Sequence, residues 1–289
     1  MDFKHFLLAV HLTKGIGPAT ESQIIMVLKQ EKPLVEFFDL ANLVDLLDRF
    51  SIRLKIDRLG QKFAAAVEQA EDYAGHFLTY FDAAYPERLR ETYQPPLILF
   101  YRGDLRALQL PALAVVGTRT ATPYGLTVVR QLLPPVVKSG CAIVSGLAKG
   151  IDVMAHQLTF AERGVPIAVI GTGLDQVYPK QHRLLQEQMG RQGLLLSEFP
   201  PGVGPHKSHF PLRNRIIAGL AGTVLVVEAR EHSGSLITAN LALQANREVL
   251  AVPGPIDALD SVGCNQLIAA GALPVLTSSD IIGAIQWLP

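Results

Sequence analysis

Short apolar runs alternate with helix-length segments from residue 111 to the end of the chain. The runs are apolar at nearly every position, which is typical of strands that are covered on both faces, as in a parallel sheet between two layers of helices. They span residues 113–116, 142–145, 167–170, 194–197, 224–227, 249–252 and 274–276. The pattern predicts an α/β domain over residues 111–289, with a Rossmann-like, mostly parallel sheet and helices on both faces.

The first 75 residues carry a different pattern, in which apolar positions recur at helical spacing. The repeat is clearest at Leu40, Leu43, Val44, Leu46 and Leu47. We predict a small all-helical domain over residues 1–75. The KGIGP segment at residues 14–18 resembles the hairpin of helix-hairpin-helix and SAM-like modules, although a plain helix-terminating turn explains the same residues. Residues 76–110, with short β-rich runs among prolines, are predicted to be a connector and an extension of the main domain.

Composition narrows the possible partners. The chain has 26 Lys and Arg against 26 Asp and Glu, so its formal net charge is zero and any binding of nucleic acid must come from a local patch. The two cysteines, Cys141 and Cys264, have no CxxC spacing and are expected to be reduced core residues. No secretory signal and no membrane-length apolar run is recognisable, so we expect a cytoplasmic protein.

Glycine-rich, polar loops follow four of the predicted strands. Glycine lets the backbone approach a ligand, the next helix offers unpaired amides, and Ser or Thr adds hydroxyl donors. The expected ligand is therefore an anionic oxygen, such as that of a phosphate. The loops are GTRT at 117–120, SGLAKG at 145–150, GTG at 171–173 and SGS at 233–235. Any one of them is also explained by a tight turn. The Walker and GxGxxG patterns are absent, which disfavours ordinary NAD or ATP binding, and no cofactor is expected.

Basic and aromatic side chains accompany these loops. The connection from residue 198 to 212 is long for this fold, and long loops in compact domains are usually functional. Phe210 lies in it and could stack on an unpaired base. Arg213 and Arg215 follow at the expected start of a helix and could each bind a phosphate through two hydrogen bonds. A solvated arginine pair beside a buried phenylalanine is the alternative.

Several acidic and histidine residues near the strand ends could suggest hydrolysis or metal binding. The acidic residues are Asp152, Asp175, Glu198 and Glu228. Helix capping, or holding a loop or an arginine in place, explains them better, because no nucleophile and base accompany them at recognisable spacing. His206 and His209 lack a third ligand, so no metal is expected. His156 is expected to be a packing residue.

The motifs together resemble the DNA-processing protein A family, also called DprA or Smf. They are VGTR at 116–119, SGLAKGID at 145–152, GTGLDQVYP at 171–179, LLSEFPPG at 195–202, FPLRNRIIAGL at 210–220, VVEA at 226–229, SGSLITA at 233–239 and AVPG at 251–254. The resemblance implies a protein that is not an enzyme, that binds and protects single-stranded DNA during natural transformation and that helps to load the recombinase RecA. It also implies a homodimer joined through the C-terminal part of the Rossmann-like domain, around residues 265–276.

The resemblance and the glycine-rich loops together define a predicted DNA-binding set. It comprises Gly117, Thr118, Arg119, Ser145, Gly146, Lys149, Gly171, Gly173, Lys180, Phe210, Arg213, Asn214, Arg215, Ser233, Gly234 and Ser235. One departure from the family pattern is His182, which stands where Asn is frequent after the YP pair.

A rival hypothesis comes from another class of protein. Nucleotide phosphoribohydrolases and lysine-decarboxylase-like proteins share this Rossmann variant, but their PGGxGT signature is missing, and SGSLIT with upstream Glu228 only loosely occupies its place. A small-nucleotide-binding protein that uses the same pocket is a further alternative. Release of base from nucleoside monophosphates would identify a phosphoribohydrolase. Thermal stabilisation by a dinucleotide, but not by oligonucleotides, would identify a small-nucleotide-binding protein.

Overall fold

The protein is described by a computed structural model that covers residues 1–30, 37–49 and 58–285. The chain forms two compact units, of which one comprises Met1–Tyr85 and Gln94–Phe100 and the other Pro86–Tyr93 and Tyr101–Pro289. The domain limits predicted at residues 75 and 110 stay a prediction. No helix within the described ranges has both the length and the apolar character needed to cross a membrane.

The first unit is mainly helical. Its elements are α1 (Phe3–Leu12), α2 (Pro18–Gln30), α3 (Leu40–Arg49), α4 (Leu59–Glu71) and the strand β1 (His76–Thr79). Helix α1 begins where the Asp2 carboxylate accepts a hydrogen bond from the His5 amide, 2.9 Å away. Phe6 is fully buried and packs against the rings of Phe38 and Phe63. The helical first region predicted from the apolar spacing is therefore confirmed.

The KGIGP segment forms the tight turn between α1 and α2. Gly15 has φ +106°, a conformation that glycine adopts without strain. On either side of the turn, His11 Nδ1 lies 2.8 Å from Glu21 Oε1, and both side chains are buried. This polar contact joins the two helices across the turn.

The second unit contains a parallel sheet. Its strands are β3 (Ala112–Val116), β4 (Ala142–Ser145), β5 (Pro166–Ile170), β6 (Leu194–Ser197), β7 (Thr223–Val226), β8 (Glu248–Ala251) and β9 (Leu273–Pro274); β2 (Ile98–Gly103) runs from the first unit into the second. The seven strands β3 to β9 lie in the order β6-β5-β4-β3-β7-β8-β9. Each pairing among them is parallel.

Helices cover both faces of this sheet. The helices of this unit are α5 (Glu87–Arg90), α6 (Pro123–Lys138), α7 (Ile151–Ala161), α8 (Arg183–Gln192), α9 (His209–Leu220), α10 (Gly234–Gln244), α11 (Val262–Ala269) and α12 (Ser278–Ala284), with short 3₁₀ helices at Leu105–Gln109 and Lys180–His182. One core cluster joins α6, α7 and α12 to the central strands. Helices α9 and α10 pack against each other and against the sheet. The α/β, Rossmann-like prediction is confirmed.

The strand order fixes where a ligand would bind. The chain runs from β3 outward through β4 and β5 to β6, and then returns to the other side of β3 to form β7. Ligands of open α/β sheets bind at such a reversal, outside the carboxyl ends of the strands. The loops that follow β3 and β7 meet there, and these loops carry the VGTR and SGS motifs.

Candidate functional site

Two adjoining cavities lie at the carboxyl ends of the strands. The smaller, of about 240 Å³, is lined by Arg119, Gly146, Ala148, Lys149, Ile170, Gly171, Thr172, Tyr178, Pro179, Phe210 and Arg213. We call it the aromatic cavity. The larger, of about 410 Å³, lies at the strand-order reversal, and we call it the switch-point cavity. It is lined by Val116, Gly117, Thr118, Arg119, Thr120, Ala148, Asp152, Phe210, Pro211, Arg213, Asn214, Arg230, Ser233, Gly234, Ser235, Ile237 and Thr238.

Arg119 and Phe210 form part of the wall of both cavities. The Arg119 guanidinium carbon lies 5.2 Å from the centre of the Phe210 ring, within cation–π range. Tyr178 packs on the same ring, with centroids 5.5 Å apart. Gly171 makes room for this ring, because a Cβ atom there would lie 3.3 Å from Phe210 Cδ1. An aromatic surface and an exposed cation are thus placed side by side.

Arg213 supplies a buried positive charge between the two cavities. Its side chain is 6% exposed, and its closest approach to a carboxylate is 4.0 Å, from Nη1 to Asp152 Oδ2. Burial lowers the pKa of the Arg213 guanidinium to about 10, so the group remains a cation at neutral pH. Within the described ranges, its Nε has no hydrogen-bond partner. A buried cation that is incompletely paired is costly, and an anion in either cavity would compensate it.

The SGLAKG loop is folded tightly over this arginine. A Cβ atom at Gly146 would lie 1.4 Å from Arg213 Nη1, so only glycine lets the guanidinium occupy this place. The Asp152 carboxylate, from the first turn of α7, accepts hydrogen bonds from the amides of Gly146 and Ala148 at 3.1 and 3.4 Å. Burial raises the pKa of this carboxyl group. Asp152 thus holds the loop and faces the arginine at the same time.

The other acidic residues of the strand ends also hold loops. Glu228 Oε2 accepts a hydrogen bond from the Thr122 amide at 3.0 Å, and its other oxygen accepts from the Thr122 hydroxyl, which fixes the loop between β3 and α6. Asp175 accepts from the Gly202 amide at 3.0 Å. Glu198 pairs with Arg215 in the interior. These contacts are structural, and each one fixes a segment beside the cavities.

The structure brings most of the predicted binding residues to the two cavities and leaves four away from their walls. Arg215 is buried and paired with Glu198. Ser145 is buried, and its hydroxyl donates to the Val115 carbonyl at 2.6 Å. The Gly173 amide donates to the Val203 carbonyl at 2.8 Å, which supports the long loop. Lys180 is exposed at the start of a 3₁₀ helix.

Twelve lining residues lie outside the predicted set, and two of them, Tyr178 and Arg230, carry an aromatic ring or a cation. Tyr178 belongs to the GTGLDQVYP motif, and its position directly before Pro179 would have been the signal. Arg230 follows β7 at the strand-order reversal, and its guanidinium makes two hydrogen bonds to the Asp260 carboxylate, at 2.8 and 3.1 Å. This pairing anchors the outer wall of the switch-point cavity. Across the described part of the chain, no group of three His, Cys, Asp or Glu side chains could hold a metal ion.

His156 lies completely buried near Arg213 and gives the site an acid sensitivity. Burial lowers the pKa of its imidazole to about 3, from an ordinary value of 6.5. The unfolded chain therefore binds a proton below pH 6.5 that the folded protein does not. This contribution to stability is complete above pH 6.5 and is lost as the pH falls towards 3, by about 1.4 kcal/mol per pH unit.

We expect His156→Leu to remove this part of the pH dependence. The wild-type free energy of unfolding should fall between pH 7 and pH 5 by about 2 kcal/mol more than that of the variant. Urea titrations at the two pH values measure the difference. His232→Asn, at an exposed position, should keep the wild-type dependence. An equal loss in wild type and His156→Leu would show that His156 is not the group responsible.

The fold and the cavities together define a class: a Rossmann-like protein whose strand-end loops form a cationic, aromatic-lined site suited to phosphate and bases. A family model described as DNA recombination-mediator protein A matches residues 76–286. The chain belongs to this family, which comprises the DprA and Smf proteins. The family consists of recombination mediators and not of enzymes, so the phosphoribohydrolase hypothesis is set aside.

Curated relatives and solved structures agree with this assignment. The DNA processing protein DprA of Streptococcus pneumoniae is 46% identical over 207 residues, covering 71% of this chain and 73% of the relative. Protein Smf of Synechocystis is 43% identical over 227 residues, covering 77% of this chain but 57% of the relative. The chain thus matches little more than half of some of its relatives.

Two solved structures extend the comparison. The crystal structure of DprA from Streptococcus pneumoniae matches with a TM-score of 0.87 and 34% identity, and covers 99% of each chain. DprA from Helicobacter pylori matches with a TM-score of 0.65 and 30% identity, over 73% of this chain and 95% of the other. The latter structure is described as revealing a single-stranded DNA binding mode.

Proposed function

We propose that this protein binds single-stranded DNA in the two cavities at the strand ends. The observation that carries the proposal is the shared wall: Arg119, Phe210 and Arg213 line both cavities. Each nucleotide of a single strand presents one phosphate and one base face, so the two kinds of group alternate along the strand. Cations line both cavities, and the Phe210 ring lies in the wall that the cavities share, so phosphate sites flank an aromatic surface. The Helicobacter pylori relative, whose structure concerns such binding, supports the same function.

The proposed contacts come from the residues that line the cavities. Arg119, Lys149 and Arg213 would neutralise phosphates, and Phe210 would stack on a base. The amides and hydroxyls of the GTRT and SGS loops would complete the phosphate sites. Ser145 would act indirectly through its hydrogen bond to β3, and Gly173 and Arg215 would hold the connection between β6 and α9 in place. Lys180 would contact the strand only outside the cavities.

A salt titration tests the electrostatic part of the proposal. If each protomer neutralises three or four phosphates, the logarithm of the binding constant should fall with the logarithm of salt concentration with a slope of about −2 to −3. Fluorescence anisotropy of a labelled oligo-dT strand between 50 and 300 mM NaCl would give the slope. A slope near zero would contradict binding through Arg119, Lys149 and Arg213.

Duplex DNA is the control ligand for this experiment. A rigid duplex keeps its bases stacked and its phosphates at fixed spacing, so it cannot place a base face on Phe210. An unlabelled duplex of the same length should therefore compete poorly for the protein, whereas an unlabelled single strand should compete fully. Equal competition by both would argue for a nonspecific cationic surface.

By resemblance to the family, we further propose that the protein protects incoming DNA and helps to load RecA in the cytoplasm during natural transformation. A strand that is held at intervals by two protomers would leave bases free between them for the recombinase. RecA filament formation on a strand coated with single-strand-binding protein, with and without this protein, tests the proposal. No change in the rate would contradict it.

We propose a homodimer joined through the region of residues 265–276. Leu273 and Leu276 are 47% and 73% exposed, and the nearby Leu259 is 70% exposed. The proposal follows the family resemblance, and these leucines are apolar side chains that a partner subunit would cover. Leu276→Arg should convert the dimer to a monomer in light scattering, while Leu184→Arg, at an exposed leucine of α8, should not. A monomeric wild type would contradict this proposal.

A further inference from the structure

The switch-point cavity offers more hydrogen-bond donors than an internal DNA phosphate can use. Its wall holds the cations of Arg119, Arg213 and Arg230 together with the carboxylate of Asp152. An internal phosphodiester carries one negative charge on two free oxygens. A phosphate monoester carries up to two charges and three free oxygens at neutral pH, because its second pKa is about 6. The donors of this cavity come from the start of α10, the GTRT loop and the side chains of Arg119 and Arg213.

The start of α10 is open towards this cavity. Ser233 is the N-cap residue, but its side chain makes no capping hydrogen bond to the helix and contacts the Ser235 hydroxyl at 2.8 Å. The amides of Gly234 and Ser235 head a helix of 11 residues, where no intrahelical acceptor exists for them. The Asn214 side chain donates to the Gly234 carbonyl at 3.3 Å and holds the turn in place.

Arg213 gives an independent indication of an anionic ligand. Its side chain is 94% buried and lies in the wall of the same cavity. Asp152 is 4.0 Å away and shares its charge with two loop amides, so it compensates the guanidinium only in part. An uncapped helix start and an undercompensated buried arginine, facing one cavity, together match a dianion better than a monoanion.

We propose that the switch-point cavity binds a phosphate monoester, either the terminal phosphate of a DNA strand or that of a free mononucleotide. The inference rests on the proposed function, because the adjoining aromatic cavity would hold the base of the same nucleotide. Phe210 and Arg119 border both spaces, so a phosphate in the switch-point cavity and a base in the aromatic cavity can belong to one nucleotide. The cavity volume of about 410 Å³ is that of a small-molecule site.

Gly234 offers a test by charge alone. A Cβ atom at Gly234 would have no heavy atom within 4 Å, so a side chain fits there without a clash. Gly234→Asp places a carboxylate at the helix start, where it favours the helix but repels a phosphate dianion. Gly234→Asn has the same shape without the charge and serves as the matched control.

The experiment compares oligo-dT strands with a 5′-phosphate, a 3′-phosphate or hydroxyl ends, together with a circular strand of equal length. The wild-type protein should bind one phosphorylated end about tenfold more tightly than the hydroxyl-ended strand, the effect of one added charge-assisted contact. This ratio should fall to near one in Gly234→Asp and persist in Gly234→Asn. If the natural ligand is a free mononucleotide, all strands should bind alike. In that case dTMP should raise the melting temperature of Gly234→Asn but not that of Gly234→Asp, and thymidine should raise neither.

The outcomes separate this inference from the proposed function. Tight binding of every strand, without an effect of terminal phosphate or of dTMP, would overturn the monoester site and leave the DNA-binding function standing. Binding of no strand would contradict the DNA-binding function, and the dTMP arm would then decide the monoester site by itself.

Discussion

Arg119→Ala is expected to weaken binding of an oligo-dT strand by about 10- to 100-fold, the effect of one lost hydrogen-bonding contact to a charged group. Arg119 is exposed, borders both cavities and covers the Phe210 ring. In the proposed binding mode, its loss removes a phosphate contact and a neighbour of the stacked base at the same time. Fluorescence anisotropy at fixed salt concentration measures the change.

Two further variants give this experiment its controls. Arg130→Ala removes an exposed arginine of α6 that lies outside both cavities, and it should bind like the wild type. Arg119→Lys keeps the charge but loses the planar fork, so its affinity should lie between those of the wild type and the alanine variant. Wild-type affinity in Arg119→Ala would place the strand elsewhere on the protein.

Asp152→Ala should destabilise the second unit by about 3–5 kcal/mol, the usual cost of removing one partner of a buried charge pair. The variant leaves Arg213 in the interior without its carboxylate neighbour, and it takes the acceptor from the Gly146 and Ala148 amides. Urea unfolding followed by circular dichroism gives the free energy of unfolding.

The double variant Asp152→Ala/Arg213→Met tests the reason for this loss. Because it removes both charges, it should recover much of the stability that the single variant loses. If Asp152→Ala costs less than about 1 kcal/mol, the carboxylate is not an important partner of the buried arginine. If the double variant is no more stable than the single variant, the lost loop contacts and not the buried charge explain the effect.

The strands could be predicted closely because their signal is local. The runs at 142–145 and 194–197 coincide with β4 and β6, and the run predicted at 224–227 begins one residue earlier, at Thr223. A strand that is buried on both faces must be apolar at nearly every position, so its limits are visible in the sequence. The last strand is less clear, since β9 spans only Leu273–Pro274 where 274–276 was predicted.

The arrangement of the site was harder to predict because it depends on side-chain direction. Arg213 and Arg215 are two residues apart on α9 and therefore point about 200° apart around the helix axis, so one helix face cannot present both. Arg213 lines the cavities and Arg215 pairs with Glu198. The partner of Arg215 lies 17 residues away in the sequence, and no local pattern indicates such a pairing.

Glycine-rich loops predicted the location of the site better than they predicted individual contacts. Each loop follows a strand, and parallel strands bring their carboxyl ends to one edge, so the four loops were expected to converge on that edge. The strand order, which places GTRT beside SGS, came from the structure. Whether a given residue faces a ligand or the interior was not predictable. Ser145 illustrates this: it ends β4, and its hydroxyl is turned inward to the Val115 carbonyl.

Photo-cross-linking of a strand that contains 5-iododeoxyuridine would test most directly whether single-stranded DNA occupies the two cavities. Excited iodouracil reacts with an aromatic side chain that stacks on it, and mass spectrometry of the digested protein identifies the peptide. We predict adducts on the peptide of residues 208–213, which contains Phe210, or on the one that contains Tyr178. Adducts confined to other peptides, with none at Phe210 or Tyr178, would contradict the account.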